Sequence, residues 1–302
     1  MRVITGGFPT RPTLPGIALA LLVGAAAAPA ATVSLPDQVE PAVRLRLQAV
    51  SDDPQQFRCQ FSAEQIALLK KLNRADAEKL PGMGFIVVPD RWDFRELDYT
   101  PMPPESSWAR PHRKAVIVHQ QGQVFGAYEN GKLVRWGPVS SGGKRRPTPS
   151  GYFHLNWKSK GRTSTVNGAW FLPWAFNFIN KDGISFHHYE LPGYPASHGC
   201  VRLLECDAKW LYRWGEEWQL DARGWTIESP GTAVWIVGAY DYHGNRSWLE
   251  QEYLAYGGRI SLGQEINAEA EATPSPVPDD PSPQVTTTES VAKPVAEPAD
   301  SI

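Results

Sequence analysis

The chain has 302 residues, with 30 Lys+Arg against 32 Asp+Glu and a formal net charge of −2. That balance excludes the overall basic footprint of a nucleic-acid binder, with Lys144-Arg145-Arg146 as a local exception. The length exceeds one average domain, but both ends are non-globular in composition, so one main domain and a smaller one are expected.

Residues 1–31 read as a secretory signal peptide. Arg2 and Arg11 form a positive n-region, residues 17–28 are apolar apart from Gly24, and Ala28-Pro29-Ala30 fits a small-residue cleavage site. The apolar run is shorter than the ~20 residues a span requires, so cleavage rather than anchoring is expected. Membrane contact is then expected through this segment alone, with the mature chain expected to be exported to the periplasm or cell envelope.

Residues 36–105 form a small N-terminal region of mixed α/β texture. Ser62 as N-cap and Gln65 at N3 predict a capped amphipathic helix carrying Ile66, Leu68, Leu69 and Leu72, which ends towards Leu80-Pro81-Gly82. Phe85 to Pro89 reads as a short strand. Over these few residues the region resembles a LysM-type glycan-binding module, with a small packing domain as the alternative. Residues 101–111, rich in Pro and Ser, read as a linker.

From Arg113 the texture turns to β. Strands are predicted at 114–119 and 123–128 around Gln120-Gln121-Gly122, and Asn130-Gly131 suits a type I′ turn into a strand over 133–139. Residues 151–156 and 232–237 read as further strands, and 207–219 as a helix with Leu211 and Trp214 on one face. Close-spaced short strands imply an antiparallel, mainly β domain with a few helices over 113–238. Residues 239–266 read as a peripheral extension. Residues 267–302 are rich in Pro, Ala, Thr, Ser and acidic residues without aromatics, and cannot bury enough apolar surface to order.

The chemistry gathers at His187-His188-Tyr189 and Ala196-Ser197-His198-Gly199-Cys200-Val201-Arg202-Leu203. A thiol is a strong nucleophile once a base removes its proton, and three histidines lie within thirteen positions of Cys200. Two other cysteines, Cys59 and Cys206, remain as a candidate disulfide; a Cys59–Cys200 pairing is the competing arrangement and would silence the thiol. A zinc site built from His187, His198 and Cys200 is the rival chemistry, but CxxC, HExxH and a ligand-spaced carboxylate are missing.

Thr148-Pro149-Ser150-Gly151, the Phe186-His187 pair and the Ser197-to-Leu203 run together resemble the L,D-transpeptidase catalytic (YkuD-like) domain of cell-wall enzymes. The resemblance implies a YkuD-like β-sandwich and a cysteine-dependent acyltransferase acting on peptidoglycan without a cofactor or metal. It implies Cys200 as nucleophile and His187 as general base and acid. The family has glycine where this chain has His188, so His188 is the alternative base; by register His187 takes the position, and His188 supplies a main-chain carbonyl that orients it. His198 takes a supporting role near the thiol, and the Gly199 and Cys200 N–H groups face the oxyanion. Arg202, Tyr189 and Ser197 are the substrate-binding candidates, with Arg202 alternatively, and by preference, holding the loop. The implied reaction is attack on a stem tetrapeptide, release of D-Ala, and transfer to an amine acceptor to give a 3-3 cross-link. The implied partners are peptidoglycan stem peptides and carbapenem-type inhibitors. The alternatives are an L,D-carboxypeptidase or endopeptidase with water as acceptor, transfer to a lipoprotein amine, and a non-catalytic wall-binding module.

Overall fold

The computed structural model describes residues 43–255 and 257–262. The expected signal peptide, the acidic tail and residues 36–42 and 263–266 lie outside the described residues.

The N-terminal unit runs β1 (Leu45–Ala49), α1 (Pro54–Gln60), α2 (Ala63–Asn73) and β2 (Phe85–Pro89). β1 and β2 pair antiparallel, Leu45 opposite Pro89 and Ala49 opposite Phe85. Asp53 caps α1 ahead of Pro54, whose fixed φ and missing N–H suit the first turn. Ser62 and Gln65 form the expected capping box on α2. α2 stops at Asn73, well short of Leu80, because Arg74 takes a left-handed conformation (φ 57°) and its N–H closes on the Lys70 and Lys71 carbonyls. No glycine marks this cap, so the sequence pattern overran it.

The main body is one nine-stranded sheet. Its strands in chain order are β3 (Lys114–His119), β4 (Val124–Glu129), β5 (Lys132–Ser140), β6 (Gly151–His154), β7 (Lys158–Thr163), β8 (Phe171–Ile179), β9 (Ile184–His188) and β10 (Val201–Leu203). Then come α3 (Glu205–Trp214), a separate two-stranded ribbon of β11 (Gln219–Leu220) and β12 (Ile227–Ser229), and β13 (Ala233–Val237). The spatial order is β6-β13-β3-β4-β5-β10-β9-β8-β7. The sheet curls over a shared core in which Val116, Phe125, Phe176, Phe186, Val201 and Val234 meet, and α3 adds Ala208 and Leu211. The domain is mostly β, but the sheet is mixed: β13 runs parallel to β3 and β10 parallel to β9.

The second parallel pair has a direct consequence. Parallel neighbours need a long return connection. Between β9 and β10 that return is the segment 189–200, which delivers Cys200 to the start of β10.

Residues 101–111 pack rather than dangle, with Met102 and Ala109 fully buried and Trp108 against Trp235. The segment after β13 is also built in. Trp248, Leu254 and β5's Trp136 share a core with Val43, Leu45 and Leu72. The fully buried Arg74 donates to the Gly122 carbonyl (3.1 Å) and the Tyr253 hydroxyl (2.7 Å), with its guanidinium 5.1 Å from the Trp248 ring centroid. Lys71 donates to Trp136 O and pairs with Glu96, and it lies 3.9 Å from the buried Asp207, which Arg135 holds at 2.7 Å. The N-terminal unit is therefore fastened to the sheet by the desolvated cations Arg74 and Lys71, which hydrogen-bond across to it, while Asp207 Oδ2 is buried without a hydrogen-bond partner.

Candidate active site

Alternation along paired strands sets the site. Ile184 and Phe186 of β9, and Val201 and Leu203 of β10, point into the core. In the parallel register Val201 faces Phe186 and Arg202 faces His187. Ser185, His187, Cys200 and Arg202 therefore share the opposite face, and His188 does not. His188 is half-buried with Nδ1 3.3 Å from the Leu203 carbonyl.

His187 is buried, and its Nδ1 lies 2.9 Å from the His188 carbonyl. A carbonyl only accepts, so Nδ1 carries the proton and Nε2 keeps the lone pair of the neutral ring. Burial pulls the His187 pKa down to about 4; the His188 carbonyl opposes this, and the Arg202 charge adds to it. Burial also pushes the Cys200 thiol up, against the pull of a backbone hydrogen bond at Ser185 and the charges of Arg162 and Arg202. At neutral pH the Cys200 thiol and the His187 imidazole are thus both uncharged.

The loop before Cys200 is held from three sides. The Ser141 carbonyl accepts from the Ala196 and Ser197 N–H groups, and Gly143 N–H donates to the Ser197 carbonyl. Ser141 is itself fixed by the buried Gln123, which accepts from Ser141 N–H and donates to its hydroxyl. Thr148, from the Thr-Pro-Ser-Gly element, donates to the Gly199 carbonyl (2.8 Å) while accepting from Gly142 N–H. On the other flank the N-terminal unit clamps Leu191: its N–H donates to the Asp76 carboxylate (2.8 Å) and its carbonyl accepts from Asp76 N–H (2.9 Å).

Several residues singled out in the sequence do other work here. The Ser197 hydroxyl donates to the Cys200 carbonyl and accepts from Gly199 N–H (3.1 Å), a closed local turn. That turn occupies both Ser197, expected on the substrate, and the Gly199 N–H, expected at the oxyanion. Among the described residues no acceptor is found for the Cys200 N–H. Gly199 has φ 105°, where a side chain would be strained, and this bend turns the chain into β10. Arg202 spends its guanidinium on the carbonyls of Glu190 (3.2 Å) and Ala196 (2.9 Å) and lies over the Tyr189 ring, stapling both ends of the loop. Tyr189 is half-buried, edge-on to the His187 ring. His198 is exposed with its ring 4.7 Å from Trp170, and among the described residues that ring contact is its recorded partner, not the thiol.

Arg162 on β7, whose charge pulls the Cys200 thiol down against burial, carries no signal in the sequence. Nothing in Lys158-Ser159-Lys160-Gly161-Arg162-Thr163 marks it, since that stretch lacks the apolar alternation of a strand. All three cysteines are free thiols, so the suggested Cys59–Cys206 bridge is not formed; Cys59 ends α1 and Cys206 begins α3, both exposed. The rival zinc set does not assemble either: among the described residues no three His, Cys, Asp or Glu side chains gather to hold an ion.

Residues 113–236 match the family model of the YkuD L,D-transpeptidase catalytic domain. No curated protein matches the chain. Among solved structures, an L,D-transpeptidase from Xylanimonas cellulosilytica is 27% identical, covering 58% of this chain and 80% of that one at a TM-score of 0.38. An L,D-transpeptidase from Stackebrandtia nassauensis is 26% identical, covering 45% and 58% at 0.35. The LD transpeptidase LdtMt1, solved in complex with imipenem, is 20% identical, covering 41% and 59% at 0.34. The chain thus spans 59% and 58% of the length of the first two structures it matches.

Proposed function

We propose that the L,D-transpeptidase catalytic domain at residues 113–236 works as a cysteine acyltransferase on peptidoglycan stem peptides in the cell envelope. The observation that supports this reading is the register of β9 and β10, which assigns His187 and Cys200 to one face, with a neutral imidazole whose Nδ1 is already committed.

In this reaction Cys200 Sγ attacks the carbonyl of the L-centre of the third, diamino-acid residue of a tetrapeptide donor. The thiol proton moves to His187 Nε2 as the C–S bond forms, giving a tetrahedral oxyanion. The Cys200 N–H is the available main-chain donor for that oxyanion; such a donor contributes about 3–4 kcal/mol in comparable sites. Collapse breaks the C–N bond, and the imidazolium returns its proton to the departing D-Ala amine. The thioester then passes to an acceptor amine, whose proton follows the same route. With another stem's diamino-acid side chain as acceptor, the product is a 3-3 cross-link. A β-lactam ring offers the same thiol a strained acyl donor, so acylation by carbapenems follows from the mechanism.

A neutral pair suits this sequence of events. The charge-separated state is disfavoured in the buried site until the substrate carbonyl receives the electrons, so attack and proton transfer are coupled. The N-terminal unit enters as a support of the loop, through Asp76 and Leu191.

Incubating the mature protein with disaccharide-tetrapeptide, beside Cys200→Ala, tests the proposal. Dimer that has lost one D-Ala, absent with the variant, is expected by mass spectrometry. Tripeptide alone identifies water as the acceptor, and an unchanged tetrapeptide in both samples removes the acyl-transfer reading.

A further inference from the structure

Cations border the nucleophile loop without a carboxylate to balance them. Lys144, Arg145 and Arg146 form the exposed turn after β5, closed by Arg146 N–H on the Gly143 carbonyl (2.9 Å). Gly143 N–H donates to the Ser197 carbonyl, so this turn is bound directly to the loop that carries Cys200. Lys144 Nζ donates to His243 Nε2 (3.0 Å). Three residues further on, Arg246 lies over the exposed Tyr194 ring, 5.8 Å from its centroid, and the Tyr194 carbonyl accepts from the Ser140 hydroxyl (2.8 Å). Lys144, Arg145, Arg146 and Arg246 thus form one patch along residues 194–197. Among the described residues none of them is in an ion pair. The nearby Asp241 carboxylate is taken by His243 N–H (2.8 Å), and Glu250, which lines one hollow with Arg246, does not pair with it.

The counter-charge lies in the part of the chain that follows. Residues 263–302 hold eight Asp and Glu against one Lys, and because the whole chain is only −2, residues 1–262 are net positive. This acidic segment leaves the body beside the patch. Ile260 N–H donates to the Pro101 carbonyl (2.8 Å), Leu262 is buried with Ile117 and Val124, and Ile260 packs on Gly122, where a Cβ would meet its Cδ1 at 2.7 Å. The turn that holds Gly122 also grips the stretch bearing His243 and Arg246. The Gln121 side chain accepts from Asp241 N–H (2.7 Å), and the Gln121 carbonyl accepts from the Ser247 hydroxyl (3.0 Å). At ~3.5 Å per residue, Glu265, Glu269 and Glu271 reach at most ~10, ~25 and ~30 Å from Leu262.

We infer that the acidic segment 263–302 docks in cis on the patch formed by Lys144, Arg145, Arg146 and Arg246, and shields it from other anions. Exposed ion pairs are individually weak, so several must act together. Tethering supplies them at an effective concentration in the ~mM range, which the segment of a second copy in dilute solution does not match. Contacts of this kind are screened by salt, as the Debye length shrinks from ~10 Å at 0.1 M to ~3 Å at 1 M. The segment is then a reversible cover beside the nucleophile loop, which a denser polyanion displaces. Such docking is independent of whether Cys200 turns over a stem peptide.

Two measurements on the mature chain with its acidic segment intact test this. Zero-length carbodiimide coupling joins Lys144 to any carboxylate in contact with it. Peptide mapping is expected to find Lys144 joined within one chain to carboxylates of residues 263–302, in a yield that falls at least about fivefold at 1 M NaCl. Links confined to body carboxylates such as Asp241, or links only between chains in a yield that grows with protein concentration, overturn docking in cis. Fluorescence anisotropy of labelled poly-L-glutamate at 0.1 M salt reads the shielding. Changing the eight acids to Asn and Gln is expected to tighten its binding about tenfold. Adding Arg145→Glu and Arg146→Glu, both at exposed positions, should abolish that gain, whereas the same charge change at the exposed Lys132 and Lys181 should keep it. Equal affinity with the intact and the neutralised segment, or a gain that both pairs of substitutions remove alike, overturns shielding of this patch.

Discussion

Replacing His187 with Gln should make the protein less sensitive to acid. The histidine is 3% exposed, and burial holds its pKa at about 4 against an ordinary value of 6.5. A folded-state pKa below the unfolded one means that the unfolded chain binds the proton more tightly. The stability from a neutral His187 is therefore complete above about pH 6.5 and is lost as the pH falls toward 4. The full loss below both values is about 3 kcal/mol, and at pH 4.5 about 2.5 kcal/mol has already gone. Urea unfolding of wild type and His187→Gln at pH 7 and pH 4.5 reads this directly. At pH 7 the variant should be less stable by about 1 kcal/mol, since the fit to the His188 carbonyl is disturbed. Between pH 7 and 4.5 the wild type should lose about 2 kcal/mol more than the variant; groups common to both, such as the carboxylates, cancel in the comparison. An equal decline in the two proteins would refute a buried neutral imidazole, and with it the neutral thiol–imidazole pair.

Other expectations follow from the same geometry. Alkylation of Cys200 by iodoacetamide should climb with pH through and beyond 9 without a plateau near neutrality, because burial raises the thiol; a flat rate from pH 6 to 9 would show a preformed thiolate. Thr148→Val keeps the shape but removes the hydrogen bond to the Gly199 carbonyl, so kcat should fall at least tenfold while stability changes by about 1 kcal/mol, checked by kinetics beside thermal unfolding. Asp76→Ala frees Leu191 from its clamp, and is expected to lower kcat with the fold intact by circular dichroism; unaltered kinetics would deny the N-terminal unit a part in holding the loop. Arg74→Met leaves buried carbonyls and the Tyr253 hydroxyl without their charged donor, and should destabilise by about 3 kcal/mol in urea titration.

Sequence signals were clearest where local chemistry decides the structure. The Ser62–Gln65 capping box, the strand at Phe85–Pro89 and the Asn130-Gly131 turn are short-range devices, and their residues adopt the expected conformations, including φ 49° and 82° at the turn. Elements fixed by distant partners were illegible. β7 is polar along its length and becomes a strand through its ladder with β8, which itself carries Pro173 in mid-strand. α1 buries Phe57 alone, too little for a periodic pattern. At the site, the motif brings candidate residues near one another without saying where their polar atoms go. Ser197 is suited to a ligand by its hydroxyl alone, but in the fold it satisfies the backbone of the long return between β9 and β10, as does Arg202, for which holding the loop is the preferred expectation. Thr148 and Asp76 hold the same return from distant parts of the chain, which no local pattern reveals.

A cysteine nucleophile carries a covalent acyl group during turnover, and intact-protein mass spectrometry of the enzyme quenched in acid with disaccharide-tetrapeptide detects it. A species heavier by the disaccharide-tripeptide acyl group is expected, mapped by digestion to the peptide containing Cys200 and absent in Cys200→Ala. An adduct on another residue, or turnover that persists in Cys200→Ala, would contradict it.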